Sequence, residues 1–303
     1  MEKGKRNSIV LAIIACLLWA TAFAGIKIGL KYTTPLHFAG IRFMLSGLLI
    51  FPFVPKIRTS FNELKPYFRK IVFISFFQTF GLYALFYLGV ARVPAAHSAL
   101  IIGASPIIIN IMAHFAGIQD HFTWRKAISI VIGFSGIVVI TLGKFNQISG
   151  EEISIVGVLI LLASSVSGGM GNILIAKYKL PGIAILKNAI QLFLGGAGIF
   201  FISLFIEPFN FGIKPLEYYY SLAWLSALSA IAFSLWFIIL QRGDVTVSEI
   251  NLWKFIIPVF GAVFSWIVLS NEQPNKITII GIVLVGSSLI FLNLSNRKNK
   301  TGR

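Results

Sequence analysis

The sequence predicts an all-α integral membrane protein with ten transmembrane helices arranged as two inverted five-helix repeats, and three observations lead there. Hydrophobic residues make up 57% of the 303-residue chain and charged residues only 12%, where a soluble domain carries about 25% charge. The mean hydropathy is +0.87, which excludes a soluble globule. The apolar residues also fall into stretches of roughly 17 to 25 residues, long enough as helices to cross a hydrocarbon core about 30 Å thick. Finally, the pattern comes twice: a shift of 152 positions superposes Pro106 on Pro258, Asp120 on Glu272 and Gly136 on Ser288. Five crossings are an odd number, so the second copy enters from the opposite face. The expected division is 1–148 and 149–303.

Taken in order, the first span is expected at 9–30, where Trp19, Phe23 and Lys27 recur every four residues and share one helix face. Its basic start and the Ala22-Phe23-Ala24 triplet before Gly25 resemble a secretory signal. Apolar character continues through Leu30, so an uncleaved helix is expected. Cys16, the single cysteine, lies within this span, which rules out an internal disulfide and argues against a thiol metal site. The second span, 36–54, carries Arg42 about two turns in. The third, 70–91, bears a four-residue stripe of Ser75, Thr79, Tyr83 and Tyr87 with Gln78 alongside. The fourth, 96–116, carries Gly103, Pro106, Asn110 and His114, with Gly117 just beyond. The fifth, 125–142, is almost unbroken apolar sequence.

The second copy follows with spans at 153–177, 184–206, 218–240, 246–269 and 277–294. Ser164, Gly168 and Gly171 form a small-residue seam on the sixth, a pattern that suits close helix packing. Asn188, Gln191, Gly195 and Gly198 stripe the seventh. On the ninth, Asn251, Lys254, Pro258, Gly261 and Ser265 fall at alternating spacings of three and four, one face that should line a cavity. The proline removes a backbone donor, so Pro106 and Pro258 are expected to kink their helices where something polar can answer the freed carbonyl. The tenth span, like the fifth, should face lipid or a second copy of the chain.

Charge gives orientation. The net charge of +16 sits in the gaps between spans, so it marks topology and not a nucleic-acid surface. Lys3, Lys5, Arg6, Lys56, Arg58, Lys65, Arg69, Lys70, Arg125, Lys126, Lys177, Lys179, Lys187, Arg242 and the basic tail gather on one side. Lys31, Arg92, Lys144, Lys214 and Lys276 stand on the other. Both termini are therefore expected on the cytoplasmic face of the cell membrane.

A charge inside a membrane helix costs roughly 2.5 to 3.5 kcal/mol and faces a cavity or a partner. The candidate cavity residues are Trp19, Phe23, Lys27, Arg42, Tyr83, Asn110, Asn188, Gln191, Asn251 and Lys254. Under the repeat shift His97 falls on Glu249, so these two are candidate gates at opposite mouths, where a titratable pair would carry a coupling proton. No HExxH and no pair of aspartates within a span is present, which leaves no enzyme chemistry to propose. No cofactor is expected.

The run Leu18-Trp19-Ala20-Thr21-Ala22-Phe23-Ala24-Gly25-Ile26-Lys27-Ile28-Gly29, Pro35 and Ile41-Arg42-Phe43 resemble the start of EamA-type transporters of the drug/metabolite transporter superfamily. Ser105-Pro106 with Gln119-Asp120 and Gly136, then Ile257-Pro258 with Asn271-Glu272, Gly281 and Ser288, look like its two repeat copies. Gln119-Asp120 and Asn271-Glu272 depart from the Gly-Glu common in the family but keep the acid. The resemblance implies an inner-membrane carrier with a central cavity between repeats, alternating access, and export of amino acids, related metabolites or toxic compounds. It also places the fifth and tenth helices at the periphery. Lys27, Arg42 and Lys254 outnumber Glu249, which favours a carboxylate-bearing solute such as an amino acid or organic acid. A multidrug exporter is the alternative, suggested by 28 phenylalanines, and a channel is the third reading.

Overall fold

A chain facing lipid must satisfy every backbone N–H and C=O from within, and helices do so locally. In a computed structural model describing residues 2–93, 98, 101–103, 105–117, 124–145, 154–208, 212–268 and 276–301, the regular structure is helical throughout. The first half holds α1 (Glu2–Gly29), α2 (Pro35–Ile50), α3 (Ile57–Leu64), α4 (Phe68–Ser75), α5 (Leu82–Val90), α6 (Ser105–Phe115) and α7 (Trp124–Phe145). The second holds α8 (Ile155–Tyr178), α9 (Ala184–Ile206), α10 (Leu216–Arg242), α11 (Val247–Leu252), α12 (Ile256–Val268) and α13 (Lys276–Thr301). A π-helical turn, Phe76–Gly81, joins α4 to α5.

Among the described residues, six stretches are long and apolar enough to cross a membrane: Gly4–Ala22, Pro35–Phe53, Ile57–Val90, Ile155–Tyr178, Ala184–Ile206 and Leu216–Arg242. The described apolar helices at the fourth, fifth and tenth expected positions, Ile101–Phe115, Ala127–Gly136 and Ile279–Ser288, are shorter.

Glycines set how closely helices approach. A Cβ on Gly196 would lie 2.5 Å from the Met44 backbone nitrogen, and one on Gly47 would lie 2.7 Å from the Ala189 carbonyl oxygen, so α2 and α9 cross backbone to backbone. Between α7 and α13, Gly136 meets the Gly281 carbonyl in the same way at 2.7 Å. The seam on α8 is a packing seam: Gly168 faces Leu82 and Gly171 faces Gln78. Other neighbours include α1 with α10 and α12, α8 with α5 and α6, α2 with α10, α9 with α10, α4 and the π turn, and α6 with α11. Outward residues of α7 and α13, such as Val131, Ile280 and Val283, are exposed.

Polar side chains fasten both ends of this bundle. At the N-terminal end of α1, Lys5 pairs with Glu249 at 2.7 Å and the Ser8 hydroxyl donates to both Asp244 carboxylate oxygens at 2.8 and 3.0 Å. At the opposite end, the Glu207 carboxylate accepts from the Leu36 and His37 backbone N–H groups, each at 2.9 Å. It supplies the negative charge a helix N-terminus favours and that Thr34 does not provide. One expectation is corrected here. Lys187, read from sequence as a loop cation at the membrane surface, is 2% exposed and donates to the Leu180 carbonyl and to Gln241 Oε1. Gln241 in turn donates to the Ile175 carbonyl at 2.7 Å, so the pair satisfies carbonyls left over where α8 ends.

Candidate functional site

The site starts from two interruptions in otherwise regular helices. Pro258 has no N–H to give the carbonyl four residues back, which belongs to Lys254. The ninth span accordingly breaks into α11, a 3-10 turn at Trp253–Phe255, and α12. Lys254 sits on the turn. Its ammonium lies 4.8 Å from the Trp236 ring centroid and 5.9 Å from that of Trp19. In the third span the π turn widens the helix, and the Ser167 hydroxyl donates to the Phe77 carbonyl at 2.8 Å. Gln78 rides on this turn, 4% exposed and seated against Gly171, where any Cβ would collide with it. Wide turns of this kind recur at functional sites.

These interruptions face a cavity whose interior and mouth together take in about 1050 Å³. Five aromatic side chains form part of its wall: Trp19, Tyr83, Phe86, Phe233 and Trp236. Trp19 lies 5.2 Å from Phe233 and 5.1 Å from Trp236, centroid to centroid, and Phe233 lies 5.8 Å from Tyr83. Two cations line the cavity, one near each end of this wall. Arg42 is 1% exposed. Its Nε and Nη2 donate to Ser229 at 3.1 and 2.8 Å, its Nη1 donates to the Tyr87 hydroxyl at 2.9 Å, and it lies over Phe43 at 4.8 Å. Every partner is neutral, so its full charge stays in the site. Among the described residues no oxygen accepts from Lys254, and no Asp or Glu lines the cavity. Two further polar atoms there are buried without a hydrogen-bond partner, Trp19 Nε1 and Gln78 Oε1. No cluster of three His, Cys, Asp or Glu that would hold a metal occurs among the described residues.

Of the residues expected from sequence, Trp19, Arg42, Tyr83, Lys254 and Pro106 line the cavity. The side chains of Phe23, Lys27 and Pro258, and all of His97, lie outside the described residues. Four amides expected in the cavity stand behind its wall instead. Asn110 donates to the Pro106 carbonyl at 2.7 Å. Asn188 and Gln191 form a network: Gln191 Nε2 donates to Asn188 Oδ1, Thr79 donates to Gln191 Oε1, and Asn188 Nδ2 donates to Ser234. Asn251 accepts from Asn172 at 2.9 Å and donates to the Val247 carbonyl. A buried amide must find partners; neighbouring helices supply them for Asn188, Gln191 and Asn251, while Asn110 bonds back to its own helix and its Oδ1 is buried without a partner. Glu249 is 8% exposed and bound to Lys5 at the end of the bundle, away from the cavity. Sequence reasoning missed Asn172, Phe233 and Trp236 as lining residues. The three-residue spacing of Phe233 and Trp236 placed them on one helix face, but an aromatic pair in an apolar run gives no sign of which face turns inward.

Comparison with known proteins follows the geometry. The sequence profile described as the EamA-like transporter family matches residues 6–142 and 155–294. The uncharacterized transporter YvbV of Bacillus subtilis (strain 168) is 25% identical over 301 residues, covering 97% of this chain and 94% of the relative. An S-adenosylmethionine/S-adenosylhomocysteine transporter of Chlamydia muridarum (strain MoPn / Nigg) is 22% identical, covering 94% of this chain and 91% of its own. A "Probable amino-acid metabolite efflux pump" of Escherichia coli (strain K12) is 27% identical over 168 residues, 55% of this chain and 53% of that one. A solved crystal structure shares the fold with a TM-score of 0.80 at 17% identity, covering 97% of this chain and 98% of the other.

Proposed function

The chain belongs to the EamA-like transporter family, and on that footing we propose that it is a secondary-active, alternating-access carrier exporting a small metabolite such as an amino acid or organic acid. The observation that carries this reading is the pair of cavity cations, Arg42 and Lys254, with no lining acid among the described residues. Two relatives are named an S-adenosylmethionine/S-adenosylhomocysteine transporter and a probable amino-acid metabolite efflux pump, which supports a small metabolite as solute.

The mechanism requires ten spans in two inverted repeats, 1–148 and 149–303, and the helix neighbours support that arrangement. Exchanging each span for its counterpart turns α1 with α10 into α8 with α5, α1 with α12 into α8 with α6, and α2 with α10 into α9 with the third span. The couples α2 with α9 and α7 with α13 map onto themselves. Such exchange is what a two-fold axis in the membrane plane produces, with the solute site where the halves meet. The basic loops put both termini in the cytoplasm. Lys5, Ser8, Asp244 and Glu249 then close the cytoplasmic side, and Glu207 with the start of α2 marks the outer side. The exposed faces of α7 and α13 are where a homodimer would form.

Reversing one charge of the cytoplasmic latch, Lys5→Glu, is expected to lower exchange in proteoliposomes by about tenfold, and the double variant with Glu249→Lys should recover most of it. If the double variant is no better than the single, the latch has no part in the cycle. Glu249→Gln in the same liposomes reads proton coupling: a pH-gradient dependence identical to the parent protein removes that residue from proton transfer.

A multidrug exporter is the second reading, favoured by the aromatic wall. Metabolite profiling of medium and cytosol with the protein expressed or absent separates the two. Accumulation of one carboxylated class in the medium supports the first, and raised tolerance to lipophilic cations without such a change supports the second.

A further inference from the structure

Every charged side chain that lines the cavity among the described residues is a cation, and the two are not alike. Arg42 is 1% exposed and its guanidinium is engaged by Ser229 and Tyr87. Lys254 has three N–H donors, with the faces of Trp19 and Trp236 beside them and the buried Cys16 thiol nearby, none of which is a hydrogen-bonded oxygen. A cation–π contact is weaker than the hydration an ammonium gives up on burial, so this charge calls for an anionic oxygen. The acid nearest in sequence, Glu249, is held by Lys5 at 2.7 Å. Gln78 adds a second point of recognition: it is 4% exposed and lines the cavity, its Oε1 packed against Gly171 without a hydrogen-bond partner.

We infer that the solute is a net-anionic carboxylate with a flat apolar body, its carboxylate on Lys254 and its body against Trp19, Trp236 and Phe233. Gln78 is the specificity-determining residue, hydrogen-bonding a polar group at the solute's other end. The inference rests on the transport reading above and narrows it. A zwitterion would bring an ammonium into a site that offers no carboxylate among its described lining residues, and a lipophilic cation would be repelled by both Lys254 and Arg42.

The test uses three ligands that share one ring and differ in charge: 3-phenylpropanoate, L-phenylalanine and phenethylamine, titrated against purified full-length protein in nanodiscs by quenching of tryptophan fluorescence. Binding of 3-phenylpropanoate should be at least about tenfold tighter than that of L-phenylalanine, the cost of an ammonium left without an acceptor, and phenethylamine should not bind. Lys254→Met should weaken binding of 3-phenylpropanoate by at least about tenfold, Lys254→Arg should keep it, and Gln78→Leu should erase only the advantage of 3-(4-hydroxyphenyl)propanoate over 3-phenylpropanoate. Equal or tighter binding of the zwitterion or the cation overturns the inference, as does absence of binding by all three or binding of 3-phenylpropanoate that is unchanged in Lys254→Met. Counterflow in proteoliposomes keeps the two levels apart. Exchange of some other solute without anion binding sinks the substrate class and leaves the carrier standing, whereas anion binding with no exchange of any solute sinks the carrier and leaves the site.

Discussion

Replacing Gly196 with leucine is expected to remove most of the folded protein. Even the first added carbon would lie 2.5 Å from the Met44 nitrogen and 2.8 Å from the Phe43 carbonyl carbon, and both are backbone atoms that no rotamer change can move aside. The two helices must separate, and separating them also parts Gly47 from Ala189 and Gly40 from Phe200. Overpacking a core costs about 1–3 kcal/mol where side chains can yield, and more is expected here because neither side can. A protein has only about 5–15 kcal/mol to lose. Thermal unfolding in detergent, followed alongside the yield of monodisperse protein, reads the effect. A transition temperature matching that of the parent would mean that α2 and α9 do not meet as described.

The second large effect runs the other way in stability. Pro258→Ala restores the N–H that the Lys254 carbonyl lacks and removes a residue that disfavours a helix interior by about 3 kcal/mol. The variant should therefore be at least as stable as the parent. Its break should heal, converting Trp253–Phe255 to regular helix and rotating Lys254 away from Trp236 and Trp19. Transport is expected to fall by about tenfold or more, because small displacements of a binding group weigh heavily on rate. A stable variant with an unaltered transport rate would show that the break is not needed to aim Lys254.

Much of the architecture was legible because the membrane leaves few choices. Runs of apolar residues set the helices, and the helices at 155–178, 184–206 and 216–242 begin and end within about two residues of where hydropathy places them. The cavity was legible only in part. Arg42 and Lys254 stood out because a lone charge in lipid has few innocent uses, and Trp19 and Tyr83 because each lay on a helix face marked by polar or charged residues. Asn188 and Gln191 looked the same on paper, yet their amides lace α9 to the third span and α10. Periodicity reports which residues share a face, and it is silent on whether that face meets a void or a neighbour. The stripe Ser75, Thr79, Tyr83 and Tyr87 shows the limit well. Across the π turn it splits, with Ser75 and Thr79 bonded to Gln191 and Tyr83 turned to the cavity. Nothing in Phe76–Gly81 announces that turn by composition. The Lys5–Glu249 pair, 244 positions apart, was beyond any local signal.

The two helix interruptions have a stereochemical consequence. Lys254 projects from the broken ninth span, Gln78 from the widened third, and the aromatic rings from α1 and α10. Three unlike contacts on separate helices give the pocket a handedness: a chiral ligand can meet all three, while its mirror image meets at most two. The enantiomers of 2-hydroxy-3-phenylpropanoate, which carries carboxylate, hydroxyl and benzyl group on one carbon, should therefore bind unequally, and a racemate equilibrated with the protein should leave its rejected form enriched in solution.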